Sequence, residues 1–162
     1  MAGRRRQSKA IVSISEDSLS ETESLSGICV AEAVTSAFVI VSTTDDAANL
    51  LRPFFASLCE ERVAVVHLGK ESRFLALTIE DSGSHEQAEL PVAAIIGMAL
   101  RIGASGIVVA HNHPSGDARP SAADQAATKA LAAAAAGVEI RLHDHIIFGA
   151  AGHESFRSLG LL

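Results

Sequence analysis

Residues 105–124 of the chain have the sequence SGIVVAHNHPSGDARPSAAD. The largely apolar run from Ser105 to Ala110 is rich in β-branched residues and predicts a buried strand, which leads directly into His111. The following stretch is rich in Pro and Gly and predicts a turn. Ser121 is a good helix N-cap residue, and an acidic residue stands three positions after it, as in a variant of the capping box. This stretch therefore predicts a strand, a turn and a helix in direct succession.

The flanking sequence continues the alternation of strand and helix patterns. Pro53 lies within one helical pattern, where it is expected either to kink the helix or to mark its true first turn. Pro91 suits the first position of another helix, and Gly103 and Gly137 suit helix ends. The alternation predicts an α/β fold with a sheet covered by helices. We expect strands at residues 63–68, 74–79 and 138–143, and helices at residues 44–59, 92–102 and 121–136.

Length and composition predict one globular domain. The chain has 162 residues, of which 48% are hydrophobic, enough for one core. No apolar run approaches the roughly 18 residues of a membrane span, and the N-terminal arginines are not followed by the apolar segment of a signal peptide. Two cysteines are too few for a disulfide framework. We therefore expect a cytoplasmic protein.

The charge is unevenly distributed along the chain. The formal net charge is −6, but residues 1–10 contain four basic residues and no acidic one. The other nine basic residues are set against all nineteen acidic ones, so residues 11–162 carry a formal charge of −10. Such a surface lacks a broad phosphate-binding patch, so a nucleic-acid partner is not expected for residues 11–162. Residues 1–36 predict a disordered charged tail, although the more apolar segment 27–34 can add a short element, and residues 37–162 predict the domain.

Three residues of the opening stretch form a pattern typical of a metal site. Residues two apart at the end of a strand point to the same face, so His111 and His113 can converge on one point. Asp124 lies in the first turn of the next helix and can point back toward them. Two imidazoles and one carboxylate suit Zn²⁺ and leave a fourth position for water. Each part also has a simpler explanation: the histidines as packing or surface residues, Ser121 and Asp124 as a helix cap, and Pro and Gly as ordinary turn residues.

The combined motifs resemble a known family. His-x-His, seven residues, Ser, two residues and Asp is the zinc signature of the JAMM (MPN-domain) metalloenzyme superfamily. The sequence is most similar to the RadC-like JAB domain, through HNHPSGD at residues 111–117, DHII at residues 144–147 and Ser155-Phe156. The resemblance covers roughly residues 38–162. It implies a single domain with an MPN/JAB-type mixed β-sheet flanked by helices.

The resemblance also implies roles for individual residues. It implies one Zn²⁺ per chain, held by the three residues of the metal pattern. It assigns Glu61 as general acid/base, with Glu60 as the competitor if the register slips by one residue. It assigns Ser121 as a hydrogen-bond donor to the oxyanion of the reaction. Asp144 and His145 can orient a metal ligand, or can simply be the polar end of a strand.

Three function classes are consistent with these residues. The leading hypothesis is a zinc-dependent metallopeptidase or isopeptidase that hydrolyses an amide bond of a protein or peptide with metal-activated water. The alternatives are a non-catalytic zinc-binding module and a DNA-repair-associated protein. For the last, we expect only weak, salt-sensitive DNA binding through the Arg-rich residues 1–10. The sequence identifies neither the substrate nor the oligomeric state.

Overall fold

The computed structural model describes residues 29–31, 39–55, 60–81 and 90–162 of the chain. These residues form six strands and three helices, with a short 3-10 turn at Lys70–Ser72 between the second and third strands. The strands are β1 (Cys29–Ala31), β2 (Arg62–Leu68), β3 (Phe74–Asp81), β4 (Gly106–Asn112), β5 (Arg141–Gly149) and β6 (Gly152–Ser155). The helices are α1 (Thr44–Phe55), α2 (Val92–Ile102) and α3 (Ala122–Ala136).

The six strands form one mixed sheet. Their order is β1-β3-β2-β4-β5-β6. The neighbouring strands β4 and β5 are parallel, and every other neighbouring pair is antiparallel. The crossover between the parallel strands is α3, as expected for a β-α-β unit. The predicted single α/β domain with a mixed sheet and flanking helices is therefore confirmed.

Helices cover both faces of this sheet. On one face, α1 packs Leu51 against apolar residues of the central strands, including Val108 and Ile146. On the other face, α2 and α3 pack against the alternate residues of the same strands, including Val65 and Val109. Strand β4 is buried along its whole length because both faces are covered. Its carboxyl end therefore presents side chains in a sheltered position.

The predicted helices agree with the structure more closely than the strand ends do. Helix α2 has the predicted bounds and ends at Gly103, which has the left-handed φ of 73° that glycine adopts readily. Pro91 is its N-cap rather than its first helical residue. Helix α1 carries Pro53 in its last turn, not its first, and residues 56–59 lie outside the described residues. The expected strand at residues 138–143 is wrong at its start, because residues 138–140 continue the turn after α3 and β5 begins at Arg141.

A short strand lies within the segment assigned to the tail. Strand β1 pairs antiparallel with β3 at one edge of the sheet, within the apolar segment 27–34 that allowed for an added element. Residues 1–28 and 32–38 lie outside the described residues, so the disordered tail stays a prediction. Across the part of the chain that the structure describes, no helix has the length and apolar character needed to span a membrane.

Candidate metal centre

The carboxyl end of β4 brings two imidazole rings together. His111 and His113 are separated by one residue, so both project to the same face of the sheet. Their Nε2 atoms lie 3.0 Å apart. The side chain of His111 is 2% exposed and that of His113 is 17% exposed. The predicted convergence of these two residues is present in the structure.

The turn after β4 holds the ring of His113 in place. Its main-chain amide donates to the carbonyl of Phe148 in β5 at 2.9 Å. Its Nδ1 lies 2.6 Å from the carbonyl oxygen of Asp117, which can only accept, so the ring proton is on Nδ1 and the lone pair on Nε2. The turn packs closely on the β5–β6 connection, where a side chain at Gly149 would collide with the carbonyl of Gly116. Glycine at residue 149 is therefore required by this close approach.

Asp124 serves both the helix cap and the imidazole cluster. Its Oδ2 accepts hydrogen bonds from the amide and hydroxyl of Ser121, at 2.7 and 2.6 Å, while the Ser121 oxygen accepts from the Asp124 amide at 3.1 Å. The capping box expected from the simpler explanation is thus formed. At the same time Oδ1 lies 3.3 Å from His111 Nε2, and Oδ2 lies 3.5 Å from His113 Nε2. The cap orients the carboxylate toward the two rings.

Glu61 reaches the cluster from the start of β2. Its Oε1 lies 3.7 Å from His111 Nε2, and its side chain is 29% exposed. The neighbouring Glu60 is exposed to solvent. Asn112 holds the main chain on both sides of Glu61: its Oδ1 accepts from the Arg62 amide at 2.9 Å and its Nδ2 donates to the Glu60 carbonyl at 3.0 Å. The structure therefore brings Glu61 to the histidines, while it leaves Glu60 in solvent.

The donor atoms of this cluster suit a cation. The Nε2 atoms of the two imidazoles lie 3.0 Å apart, and the carboxylates of Asp124 and Glu61 add negative charge beside them. Such an arrangement is stable with a proton or a metal ion among the donors. Glu61, His111 and His113 form a group whose ligand atoms all lie within 4.8 Å of one another and that could hold a metal ion. The residues therefore fit a metal ion with mixed nitrogen and oxygen ligands, a set that zinc accepts.

The two carboxyl groups have different electrostatic environments. Burial raises the pKa of Glu61, and the nearby imidazoles of His111 and His113 offset this only in part. Burial also opposes the charge of Asp124, but the adjacent His111 ring and the hydrogen bonds from Ser121 outweigh it, so the pKa of Asp124 lies well below its ordinary value. Asp124 is therefore held as an anion, whereas Glu61 accepts a proton more readily.

His145 lies directly behind His111, as the resemblance allowed. Its Nε2 lies 2.8 Å from His111 Nδ1, and its ring stacks on Phe156 with 4.6 Å between centroids. Burial lowers the pKa of His145 to about 3, so the ring is neutral. Its Nδ1 contacts Thr128 of α3, which the sequence predictions missed. Since Thr128 follows Asp124 by four residues, helical spacing places it one turn along the same face, and this signal could have found it.

Asp144 is not brought to the cluster. It precedes His145 in β5, so its side chain points to the opposite face of the sheet. Its Oδ2 accepts from the hydroxyls of Thr44 and Ser155, both at 2.7 Å. Its Oδ1 accepts from the amides of His145 and Arg157. The bonds from Thr44, Ser155 and Arg157 join α1 and the end of β6 to β5, so Asp144 links secondary-structure elements rather than orienting an imidazole.

The fold and this cluster define a class of protein: an α/β domain that gathers two imidazoles and two carboxylates at the end of a buried strand. A family model described as the RadC-like JAB domain matches residues 41–161. The chain therefore belongs to the RadC-like JAB domain family. The resemblance stated from residues 111–117 and the motifs after them is confirmed.

Proposed function

We propose that this domain is a zinc-dependent metallopeptidase or isopeptidase that hydrolyses an amide bond in a protein or peptide. One observation supports it above the others: two imidazoles, a charged carboxylate and a partly exposed carboxyl group meet at one point. Membership of the RadC-like JAB family suggests the JAMM superfamily and agrees with this chemistry.

In this proposal His111, His113 and Asp124 hold the metal. Asp124 is the carboxylate ligand because it approaches both imidazoles, its side chain is only 10% exposed and its cap hydrogen bonds hold it in place. Glu61 approaches His111 from the more exposed side, where water and substrate can reach it. A bound Zn²⁺ would supply Lewis acidity, which polarises a carbonyl group and lowers the pKa of water to about 7.

Glu61 is the general acid/base of the proposed reaction. Its carboxylate takes a proton from the attacking water as the water oxygen bonds to the amide carbon. The same carboxyl then returns the proton to the leaving amine as the C–N bond breaks. Burial supports this role, since it raises the pKa of Glu61 toward the pH at which a proton is both taken and returned. Asn112 fixes the main chain on either side and so limits the positions that this carboxyl can take.

Ser121 remains a predicted oxyanion donor. Its hydroxyl has one proton, which is donated to Asp124 Oδ2 at 2.6 Å. Donation to a substrate oxygen requires this proton to be redirected, after which the Ser121 amide would still hold the carboxylate at 2.7 Å. The contacts of Ser121 therefore give it a direct part in orienting Asp124, with the oxyanion role as an additional proposal.

The test compares Glu61→Gln with the matched control Glu60→Gln. Zinc content and affinity are measured for both variants, for His113→Ala and for the wild type. Hydrolysis is followed by mass spectrometry on a mixture of linear peptides and lysine-isopeptide conjugates. We expect about one zinc per wild-type chain and its loss in His113→Ala. Glu61→Gln should keep zinc and lose about 10²–10⁴-fold in rate, whereas Glu60→Gln should match the wild type.

Each other result has a distinct meaning. A wild-type protein that takes up no zinc on titration would overturn the metal centre. A wild type that binds zinc but hydrolyses none of the conjugates, and retains none of them on Glu61→Gln, would favour the non-catalytic zinc module. An unchanged rate in Glu61→Gln would remove Glu61 as the general acid/base.

A further inference from the structure

The hydrogen bonds behind the cluster end on a group that can only accept. Thr128 Oγ1 lies 2.6 Å from the main-chain oxygen of Asp124, and also 2.6 Å from His145 Nδ1. The hydroxyl has one proton and the carbonyl oxygen has none. Both short contacts are hydrogen bonds only if the hydroxyl donates to the carbonyl and His145 Nδ1–H donates to the hydroxyl. The carbonyl therefore sets the direction of this chain of hydrogen bonds.

The same order of donors and acceptors continues from His145 to His111 of the cluster. A neutral imidazole carries one N–H, so a proton on His145 Nδ1 leaves its Nε2 as an acceptor. That atom lies 2.8 Å from His111 Nδ1, which must then carry the proton of the His111 ring. The lone pair of His111 is consequently on Nε2, the atom that faces His113, Asp124 and Glu61. This is the form of the ring that can bind a metal through Nε2.

Because these residues are buried, the positions of the ring protons depend on the hydrogen bonds among them. Thr128, His145 and His111 are 2%, 0% and 2% exposed, so bulk water offers no alternative partner for their ring nitrogens. Without the hydroxyl, the proton of His145 would gain a partner by moving to Nε2 and donating to His111 Nδ1. The proton of His111 would then move to its own Nε2 and occupy the lone pair that faces the cluster.

The threonine also connects the helix of Asp124 to the strands of the two histidines. Asp124 and Thr128 lie on α3, whereas His111 lies on β4 and His145 on β5. The hydroxyl bonds to the carbonyl of Asp124 on one side and to the ring that supports His111 on the other. A single side chain thus links the main chain of the carboxylate residue to the orientation of the imidazole.

We propose that Thr128 is a positioning residue of the candidate metal centre, which acts through His145 to keep the His111 proton on Nδ1 and the Nε2 lone pair open to the cluster. The proposal rests on the proposed function in one respect, since it takes the cluster to be a metal centre. Thr128 itself touches neither metal nor substrate.

The experiment uses the full chain and the variants Thr128→Val, Thr128→Ser and Thr78→Val. Thr78 is a matched control because its hydroxyl also bonds a buried imidazole, His67, at 3.0 Å, away from the cluster. Long-range ¹H–¹⁵N spectra of the chelator-treated proteins at mildly alkaline pH show which ring nitrogens carry protons. Titration with Zn²⁺ alone then gives the affinity.

We expect His145 and His111 to carry their protons on Nδ1 in the wild type, Thr128→Ser and Thr78→Val. Thr128→Val should change both rings and weaken zinc binding about tenfold, within the range known for groups that support a ligand histidine. The serine variant should restore the affinity because it restores the hydroxyl. A purely structural role for Thr128 would not produce the change in the ring spectra.

Two results would overturn the proposal. The first is a wild-type spectrum with the His145 proton on Nε2, which needs no variant to fold. The second is a Thr128→Val protein with unchanged ring protons or with the zinc affinity of Thr78→Val. If the wild type bound no zinc, the proposed function would fail, but the ring spectra would still decide the placement of the protons.

Discussion

The domain contains two buried threonine–histidine pairs on the same face of one sheet. In the first, Thr128 bonds His145, which bonds His111 of the cluster. In the second, Thr78 bonds His67 Nε2, while His67 Nδ1 is buried and has no hydrogen-bond partner among the described residues. Both imidazoles are 0% exposed, and burial lowers the pKa of each, to about 3 for His145 and about 4 for His67.

The two pairs differ at the ring nitrogen that does not contact the threonine. His145 uses both nitrogens, so its position and its proton are defined by the groups at either end. Among the described residues only one nitrogen of His67 is hydrogen-bonded, and the residue lies on the sheet face that α2 and α3 cover. A buried histidine bonded to a threonine is therefore not in itself a functional feature. Its connection to other polar groups determines whether it can influence a site.

The largest contrast between the pairs is expected in zinc affinity. His145→Phe keeps an aromatic ring to stack on Phe156 but removes the acceptor of the His111 proton. We expect zinc affinity to fall about 100-fold, the upper end for loss of a group that supports a ligand histidine. His67→Leu should leave the affinity unchanged. Competition titration with a zinc chelator measures both, and equal effects would remove the distinction drawn between the pairs.

The next contrast is the dependence of stability on pH, to which His67 contributes. Its folded pKa is about 4, against an unfolded value of 6.5, so below pH 6.5 the unfolded chain binds a proton that the folded protein does not. The contribution of neutral His67 to the free energy of unfolding is complete above pH 6.5 and is lost as the pH falls toward 4. Between pH 7 and pH 5 we expect the free energy of unfolding to drop by about 2 kcal/mol through this residue.

Urea denaturation at pH 7 and pH 5 measures this effect in the wild type and in His67→Leu. The variant should lose about 2 kcal/mol less than the wild type over this interval, since leucine does not titrate. The remaining loss in both proteins includes that of His145, whose pKa is lowered in the same direction. Identical losses in the two proteins would contradict the pKa assigned to His67.

The smallest expected effect is on stability, and it tests whether the helix cap acts independently of the imidazoles of His145 and His111. Ser121→Ala removes the hydroxyl that caps α3 and bonds Asp124 Oδ2. We expect the free energy of unfolding to fall by about 1 kcal/mol, as for other N-cap residues, with the protons of His145 and His111 unchanged. Urea denaturation and the ring spectra measure the two parts. A shift of those protons would show that the cap and the His145 chain act as one unit.

The parts of the cluster that sequence predicted are those set by short-range geometry. His111 and His113 converge because strand side chains alternate, and Asp124 faces them because it belongs to a helix cap that begins with Ser121. The family resemblance added Glu61 and His145, which the structure places beside His111. The resemblance did not show whether Asp144 orients a metal ligand or is simply a polar residue of β5. Asp144 therefore remained a candidate until its neighbours were known.

The start of β5 shows that local sequence patterns also fail to predict where a strand begins. Residues 138–140 have the alternation of a strand, but the turn after α3 continues through them, and Glu139 has a left-handed φ of 60°, which is incompatible with a strand. The main-chain hydrogen bonds of that turn hold these residues out of the sheet, with the Ile140 amide bonded to the Ala135 carbonyl. Alternation is a local pattern and does not report where the pairing of β4 with β5 begins.

Local sequence by itself determined the alternation of elements, the helix caps and the two histidines with the aspartate that follows them, since each depends on residues a few positions apart. Tertiary structure decided the positions of Glu61, Asn112 and Thr128. Asn112 bonds the amide of a residue 50 positions away, and Thr128 meets His145 across 17 positions. Such contacts depend on strand register and on the packing of α3 against β5. No local pattern encodes either, because both are set by the burial of the whole core.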